Sequence, residues 1–133
     1  MGTLIDTSVL IAVERGHLSL DALLESHGDD EIAMSAVTAS EMLHGVHRLK
    51  GAVGRAHAQV LVERLISLMP VIPFDLGVAR VHATLSAELA AKGTAVGAHD
   101  LMIAATAVAL GFTVATCDRR SFQKIKGLAL QLW

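Results

Sequence analysis

An acid, Asp6, separates two apolar runs at the start of the chain. The first run, residues 3–5, is short and rich in β-branched side chains, which predicts a buried strand. The second run, residues 9–13, predicts a helix with Thr7 or Ser8 as its N-cap. Because ligands of open parallel sheets bind beyond the carboxyl ends of the strands, Asp6 either caps a helix or belongs to a site.

The composition limits the classes of protein to consider. A chain of 133 residues, 53% hydrophobic, fits one domain with a large core, and 3% aromatic residues make that core aliphatic. A net charge of −2 excludes a strongly basic nucleic-acid binder. The single cysteine, Cys117, excludes an internal disulfide and fits a reducing cytoplasm. Acidic residues interrupt the apolar start, so we expect no signal peptide, and no run reaches the roughly 20 residues of a membrane span.

Strand patterns alternate with helix patterns along the whole chain. Strands are predicted at residues 3–5, 31–34 and 112–115, with a short extended segment at 70–75 and a last strand at 128–132. Helices are predicted at residues 8–15, 18–27, 35–50, 53–69, 76–92 and 98–111. This alternation predicts one α/β domain over residues 1–133, with a mainly parallel sheet of four or five strands and helices on both faces. Helical spacing predicts the following buried positions: Ala39, Met42, Leu43, Val46, Leu49, Val60, Leu61, Leu65, Leu68, Val78, Val81, Leu85 and Leu89.

Four acids are predicted to meet at one edge of this sheet. Asp6 and Asp118 follow strands, whereas Glu41 and Asp100 lie near the starts of helices. Each has an ordinary interpretation as a cap, a solvated side chain or a partner of the helix dipole. Together, however, four carboxylates repel one another unless a cation or protons neutralise them.

Oxygen ligands without cysteine or histidine suit Mg²⁺ or Mn²⁺, and such ions promote hydrolysis of phosphodiesters. The pattern therefore predicts a metal-assisted phosphodiesterase site. Three hydroxyl residues beside these acids, Thr7, Ser8 and Thr116, are candidates for positioning water or phosphate.

Four segments resemble the motifs of PIN-domain ribonucleases: residues 4–11, 35–46, 97–107 and 116–122. They occur in the family's order between Leu4 and Leu130, and the similarity is greatest to VapC-type toxins of toxin–antitoxin pairs. The resemblance places the four acids on the family's acidic positions. The chain departs from many relatives at Cys117, where they carry asparagine, and the position of Asp118 is the family's most variable.

The resemblance implies cleavage of RNA, usually tRNA or ribosomal RNA, with Mg²⁺ or Mn²⁺. It also implies a homodimer and a larger complex with a VapB-type antitoxin, whose C-terminal segment covers the site. The candidate RNA contacts are Arg119, Arg120, Lys124 and Lys126, with Arg48, Lys50 and Arg55 as further candidates.

Other interpretations exist for the same residues. Haloacid-dehalogenase-type phosphatases have a second aspartate two positions after the first, where this chain has Ser8, and receiver domains need a lysine that residues 116–118 do not supply. A catalytically silent PIN-fold protein that acts through partner binding stays open. The pair His44 and His47 is read as surface histidines or as half of a zinc site. His99 is a candidate for a bond to Asp100 or a contact with RNA, and Cys117 is expected to be small and buried.

Overall fold

The central strand of the sheet carries Asp6 at its end. The structure is a computed structural model that describes residues 2–133. Five parallel strands lie in the order β3-β2-β1-β4-β5. The strands are β1 (Gly2–Ile5), β2 (Glu31–Ser35), β3 (Val71–Ile72), β4 (Thr113–Thr116) and β5 (Leu130–Leu132). The predicted parallel α/β sheet is therefore confirmed, and the proline-flanked segment forms its edge strand β3, as prolines favour.

Helices cover both faces of this sheet, as predicted. Within residues 2–133 there are six α-helices and one 3₁₀ turn: α1 (Thr7–Glu14), α2 (Leu20–Ser26), α3 (Ala36–His47), α4 (Ala52–Ser67), α5 (Leu76–Ala91), α6 (Ala98–Leu110) and the turn Arg119–Ser121. Successive strand residues point to opposite faces. Leu4 enters a core built with α5 and α6, whereas Ile5 enters a second core built with α1 to α4.

Capping residues decide where several helices begin. Ser35 caps α3 by accepting a hydrogen bond from the Thr38 amide at 3.0 Å, and Asp75 caps α5 by accepting one from the Val78 amide at 2.9 Å. The predicted cap of α1 was wrong, because the helix begins at Thr7 and its N-cap residue is Asp6. The Asp6 amide still bonds to a neighbouring strand, at Ala115 O and 2.9 Å, which keeps its backbone extended.

Three predicted core positions in α4 or next to its ends are exposed instead. Leu49 is 41% exposed, Val60 71% and Leu68 50%, while Val62 is buried and Leu65 is buried as predicted. Helix α4 packs against α3, so the side that faces α3 is covered. The apolar residues of α4 lie on several sides, and the sequence alone selected Val60 where Val62 is the covered residue.

The most apolar helix, α6, is confirmed as a buried helix. Ile103, Ala104, Ala105 and Ala107 are fully buried in the first core. The helix ends at Gly111, whose φ of 69° lies in the left-handed region that glycine adopts without strain. Among the helices of residues 2–133, α6 included, none has both the length and the apolar character needed to cross a membrane.

Candidate active site

Asp6 occupies the N-cap position of α1, but its buried carboxylate is held by hydroxyl groups rather than by the amides of the helix. Its side chain makes no capping hydrogen bond of proper geometry to α1, although the nearby amides of Thr7 and Ser8 favour its charge slightly. Oδ2 of Asp6 accepts hydrogen bonds from Ser8 Oγ at 2.7 Å and from Thr116 Oγ1 at 2.9 Å. The residue is 4% exposed. Burial raises the pKa of Asp6, and the two hydroxyls lower it in part.

Both hydroxyls that hold Asp6 are themselves fixed by the backbone after β4. Ser8 Oγ accepts the amide of Cys117 at 3.0 Å, and Thr116 Oγ1 accepts the amide of Asp118 at 2.9 Å. Each hydroxyl therefore accepts one proton from an amide and donates its own to the carboxylate. This arrangement ties the end of β1 to the end of β4 and sets the direction of the Asp6 side chain.

Glu41 reaches the same edge from the second turn of α3. Its Oε1 accepts a hydrogen bond from Thr7 Oγ1 at 2.8 Å, and its Oε2 lies 3.6 Å from Nδ1 of His99. The Thr7 hydroxyl also lies 3.1 Å from the hydroxyl of Thr38. The first residue of α1 therefore orients an acid that belongs to α3.

Asp100 lies in the first turn of α6, where the helix dipole favours a negative charge. The N-cap residue is Gly97, and a Cβ atom there would lie 3.2 Å from Asp100 Oδ2, so the glycine leaves room for the carboxylate. Burial raises the pKa of Asp100, and the charge of Asp6 is the next largest cause. Glu41 and Asp118 raise the pKa of Asp100 further, so the charges of the other three predicted acids all reach Asp100 at this edge.

Asp118 is the most exposed of the four acids, and its carboxylate accepts hydrogen bonds within its own turn. Its carboxylate accepts hydrogen bonds from the Arg120 amide at 3.1 Å and from Ser121 Oγ at 3.0 Å, which caps the 3₁₀ turn. The Ser121 hydroxyl also lowers the pKa of Asp100. Ser121 thus stands between the two acids.

The donor set fits a hard divalent cation that keeps much of its water. Among residues 2–133, no three histidine, cysteine or acidic side chains meet closely enough to hold an ion by themselves. Mg²⁺ is commonly bound by one or two carboxylates with water completing the shell. Asp6 and Asp100 are the pair that suits this mode, because the charge of Asp6 raises the pKa of Asp100 more than the charge of Glu41 or Asp118 does.

The predicted basic residues divide into two groups. Arg119 and Arg120 are exposed in the turn that follows Asp118, and Lys124 Nζ lies 3.4 Å from the carbonyl of Ala95, in the loop before α6. Lys126 instead lines a hollow with Val108 of α6. Val108 is about 12 Å along the helix from Asp100 at 1.5 Å per residue, so Lys126 is remote from the acids.

The further candidates also differ in position. Arg48 lines a hollow of about 350 Å³ with Glu41, His44 and His99. Arg55 donates two hydrogen bonds to the carbonyl of Leu49, at 2.8 and 3.1 Å, which is a structural role. Lys50 is exposed.

Some site residues were missed or misjudged from the sequence. Cys117 is exposed rather than buried, because it follows the last residue of β4 and only its amide points inward to Ser8. Thr38 and Ser121 were not selected. Thr38 stands three residues before Glu41 and three after a capping serine, and this spacing is the signal that could have found it.

The whole chain is similar to proteins of one family. The family model of the PIN domain matches residues 3–128. Ribonuclease VapC of Rickettsia bellii is 32% identical over 128 residues, which cover 96% of this chain and 93% of that protein. The tRNA(fMet)-specific endonuclease VapC of Salmonella typhimurium is 32% identical over 102 residues, covering 77% and 75%.

A solved structure shows the same fold over its full length. VapBC2 from Rickettsia felis, bound to a DNA fragment of its promoter, superposes with a TM-score of 0.91 at 25% identity, covering 100% of this chain and 99% of the other. Since the family model spans nearly all of the sequence, the chain belongs to the PIN-domain family, and within it to the VapC-type ribonucleases.

Proposed function

We propose that this protein is a metal-dependent endoribonuclease that acts as the toxin of a toxin–antitoxin pair. One observation carries the catalytic part of the proposal: Asp6 and Asp100 lie at the same edge of the sheet, where burial raises the pKa of Asp100 and the charge of Asp6 raises it further, with smaller contributions from Glu41 and Asp118. Like charges gathered at one edge need a cation or protons for compensation, and a cation leaves the carboxylates ionised. The relatives named as VapC ribonucleases supply the substrate class, which is RNA.

In this proposal Asp6 and Asp100 would hold the ion, and Glu41 and Asp118 would contact its water. A bound Mg²⁺ or Mn²⁺ would polarise the scissile phosphate and lower the pKa of the attacking water. Ser8 and Thr116 keep Oδ2 of Asp6 in place. Thr7 engages Oε1 of Glu41, which leaves Oε2 to accept a proton from the attacking water. The three hydroxyls thus act mainly by orienting the carboxylates.

The RNA would cross the edge at the 3₁₀ turn after β4. Arg119 and Arg120 lie in that turn, directly after Asp118, and Lys124 follows it. Phosphate contacts from Arg and Lys position RNA without reading its sequence. The small net charge of −2 makes binding local and sensitive to salt. We propose tRNA or ribosomal RNA as the target, because one relative is named as a tRNA(fMet)-specific endonuclease.

The proposed partner is a VapB-type antitoxin. The solved relative from Rickettsia felis is a VapBC2 complex on promoter DNA. We propose that this chain likewise pairs with an antitoxin, as a homodimer within a larger complex. Expression of the chain alone should then arrest growth, and co-expression with the product of a neighbouring antitoxin gene should relieve the arrest. Harmless expression of folded wild-type protein would contradict the toxin role.

The decisive experiment is RNA cleavage by the purified protein with Mn²⁺ or Mg²⁺, with and without a chelator. Asp6→Asn and Asp100→Asn should each abolish cleavage, whereas Asp30→Asn, in an exposed turn, should leave it unchanged. Equal cleavage by all three variants would assign the activity to a contaminant and reject the site. A folded wild type that cleaves no RNA but binds its antitoxin would support the silent PIN-fold alternative.

A further inference from the structure

Behind Glu41 lies a buried row of three hydroxyl groups. Ser35 Oγ donates to Thr38 Oγ1 at 3.2 Å, the oxygens of Thr38 and Thr7 are 3.1 Å apart, and Thr7 Oγ1 donates to Glu41 Oε1 at 2.8 Å. Thr38 is fully buried, Ser35 is 1% exposed and Thr7 is 7% exposed. No solvent therefore competes along most of the row.

The hydroxyl donors of this row point to Thr38 and to Glu41. A hydroxyl has one proton to donate, and Thr7 directs its proton mainly to the carboxylate, which is the closer and the charged acceptor. Thr38 Oγ1 is the second acceptor of the Thr7 hydroxyl, at 3.1 Å, and it also accepts the proton of Ser35. Ser35 Oγ in turn accepts the backbone amide of Thr38 at 3.0 Å. The start of α3 thus fixes the oxygen of Thr38, and this oxygen and Glu41 Oε1 together hold the Thr7 hydroxyl.

We propose that Ser35 and Thr38 are positioning residues for Glu41 that act through Thr7. This proposal rests on the proposed nuclease function. By keeping Oε1 on Thr7, the row presents Oε2 of Glu41 to the edge where Asp6 and Asp100 lie. The Asp6 carboxylate is held separately, by the hydroxyls of Ser8 in α1 and Thr116 in β4. The two acids are therefore oriented by independent sets of hydroxyls.

The helix itself explains the row. Ser35, Thr38 and Glu41 are spaced by three residues, so they lie along one side of α3, one turn apart. The distance between Thr38 and Glu41 is bridged by Thr7, the first residue of α1, which packs on α3. Without the Thr38 hydroxyl, the Thr7 hydroxyl loses one of the two polar contacts that hold it and can turn away from Glu41.

The test replaces Thr38 by valine, which keeps the shape and removes the hydroxyl, and by serine, which keeps the hydroxyl. The matched control is Thr106→Val, because Thr106 is equally buried and its hydroxyl bonds, within residues 2–133, only to the Met102 carbonyl in its own helix. Loss of an outer-shell hydrogen bond at a metal site typically costs 10–100-fold in activity or metal affinity. We expect Thr38→Val to lower kcat for RNA and the calorimetric affinity for Mn²⁺ by roughly tenfold, with KM for RNA unchanged.

Thr38→Ser should restore kcat and Mn²⁺ affinity, while Thr106→Val should lose stability and keep both. Equal kcat and Mn²⁺ affinity in Thr38→Val and Thr106→Val would overturn the inference and leave the nuclease proposal intact. If the wild type neither binds Mn²⁺ nor cleaves RNA, the nuclease proposal fails. Crystal structures of the metal-free variants then decide the positioning role. It stands if Glu41 leaves Thr7 only in Thr38→Val, and it falls if Glu41 keeps this contact in both.

Discussion

Replacing Thr116 by valine would remove one of the two hydroxyls that hold the Asp6 carboxylate. Thr116 is 1% exposed, donates to Asp6 Oδ2 at 2.9 Å and accepts the Asp118 amide at 2.9 Å. Valine keeps the size of the side chain, so the change removes hydrogen bonds without opening a cavity. Ser8 would be left as the one hydroxyl donor to Asp6 Oδ2 within residues 2–133.

The expected loss follows from the charge of the acceptor. Hydrogen bonds to ionised groups contribute about 1.5–3 kcal/mol, so we expect unfolding free energy to fall by about 2 kcal/mol at pH 7.5. Unfolding entropy of about 2.1 cal/mol/K per residue gives about 0.28 kcal/mol/K for a chain of this length. The midpoint temperature Tm should therefore fall by about 7 °C.

The loss should depend on pH in a defined direction. The Thr116 hydroxyl favours the ionised carboxylate and lowers the pKa of Asp6 against the effect of burial, so the pKa in the variant is higher still. The stabilisation by this bond is present above the pKa of folded Asp6 and disappears as pH falls through it. Urea denaturation at pH 7.5 and at pH 4 should therefore show a clearly smaller difference between variant and wild type at pH 4.

The control is Thr113→Val on the same strand, because the Thr113 side chain makes no hydrogen bond within residues 2–133 and lies at the far end of β4. It should change stability by less than about 0.5 kcal/mol at either pH. Equal losses for Thr113→Val and Thr116→Val, or a loss for Thr116→Val that is the same at both pH values, would refute this account of how Asp6 is held.

Four other changes test the remaining features. Asp100→Asn should raise the Tm of the metal-free protein at pH 7.5, because burial, and after it neighbouring charge, raises the pKa of Asp100, so the ionised carboxylate destabilises the folded state. This gain should vanish as pH falls toward the ordinary pKa of 3.8. A lower Tm of the variant at pH 7.5 would contradict the reasoning. Mn²⁺ at ten times its Kd should stabilise the wild type by about 1.4 kcal/mol in thermal melts but not Asp100→Asn, and equal shifts would place the ion elsewhere. Gly111→Ala should lower unfolding free energy in urea by about 1 kcal/mol, because φ is 69°, with RNA cleavage retained; unchanged stability would argue against the left-handed helix end. The double change Arg119→Ala with Arg120→Ala should raise KM for RNA and reduce the slope of log affinity against log salt concentration by about 2, whereas Lys126→Ala should change neither quantity. Equal effects of the two changes would contradict the proposal that RNA crosses the 3₁₀ turn.

The location of the acids could be predicted from the sequence, because it depends on rules that hold for every parallel sheet. A strand followed by an acid, and a helix that begins near one, place both acids at the carboxyl edge. The hydroxyl contacts of Asp6 depend instead on strand register. Leu4 pairs with Val114 and Ile5 with Ala115, which brings Asp6 level with Thr116. Nothing local in either segment specifies that alignment.

Errors in the predicted core have a similar origin. Val60 and Val62 of α4 are both apolar, yet the first is 71% exposed and the second is 1% exposed. Which of them is covered depends on the rotation of α4 against α3, and that rotation is decided by packing between helices rather than by periodicity. The burial of Cys117 was predicted wrongly for a related reason. Strand β4 ends at Thr116, so Cys117 follows it and is exposed.

The pairing of β1 with β4 also determines when, during synthesis of the chain, the candidate active site can form. Asp6 and Thr116 are 110 positions apart in the chain, so a ribosome exposes the first long before the second has been synthesised. Closing so long a loop is a late and slow step in folding. During translation the acids therefore stay apart, and the site acquires its geometry only after most of the polypeptide has left the ribosome.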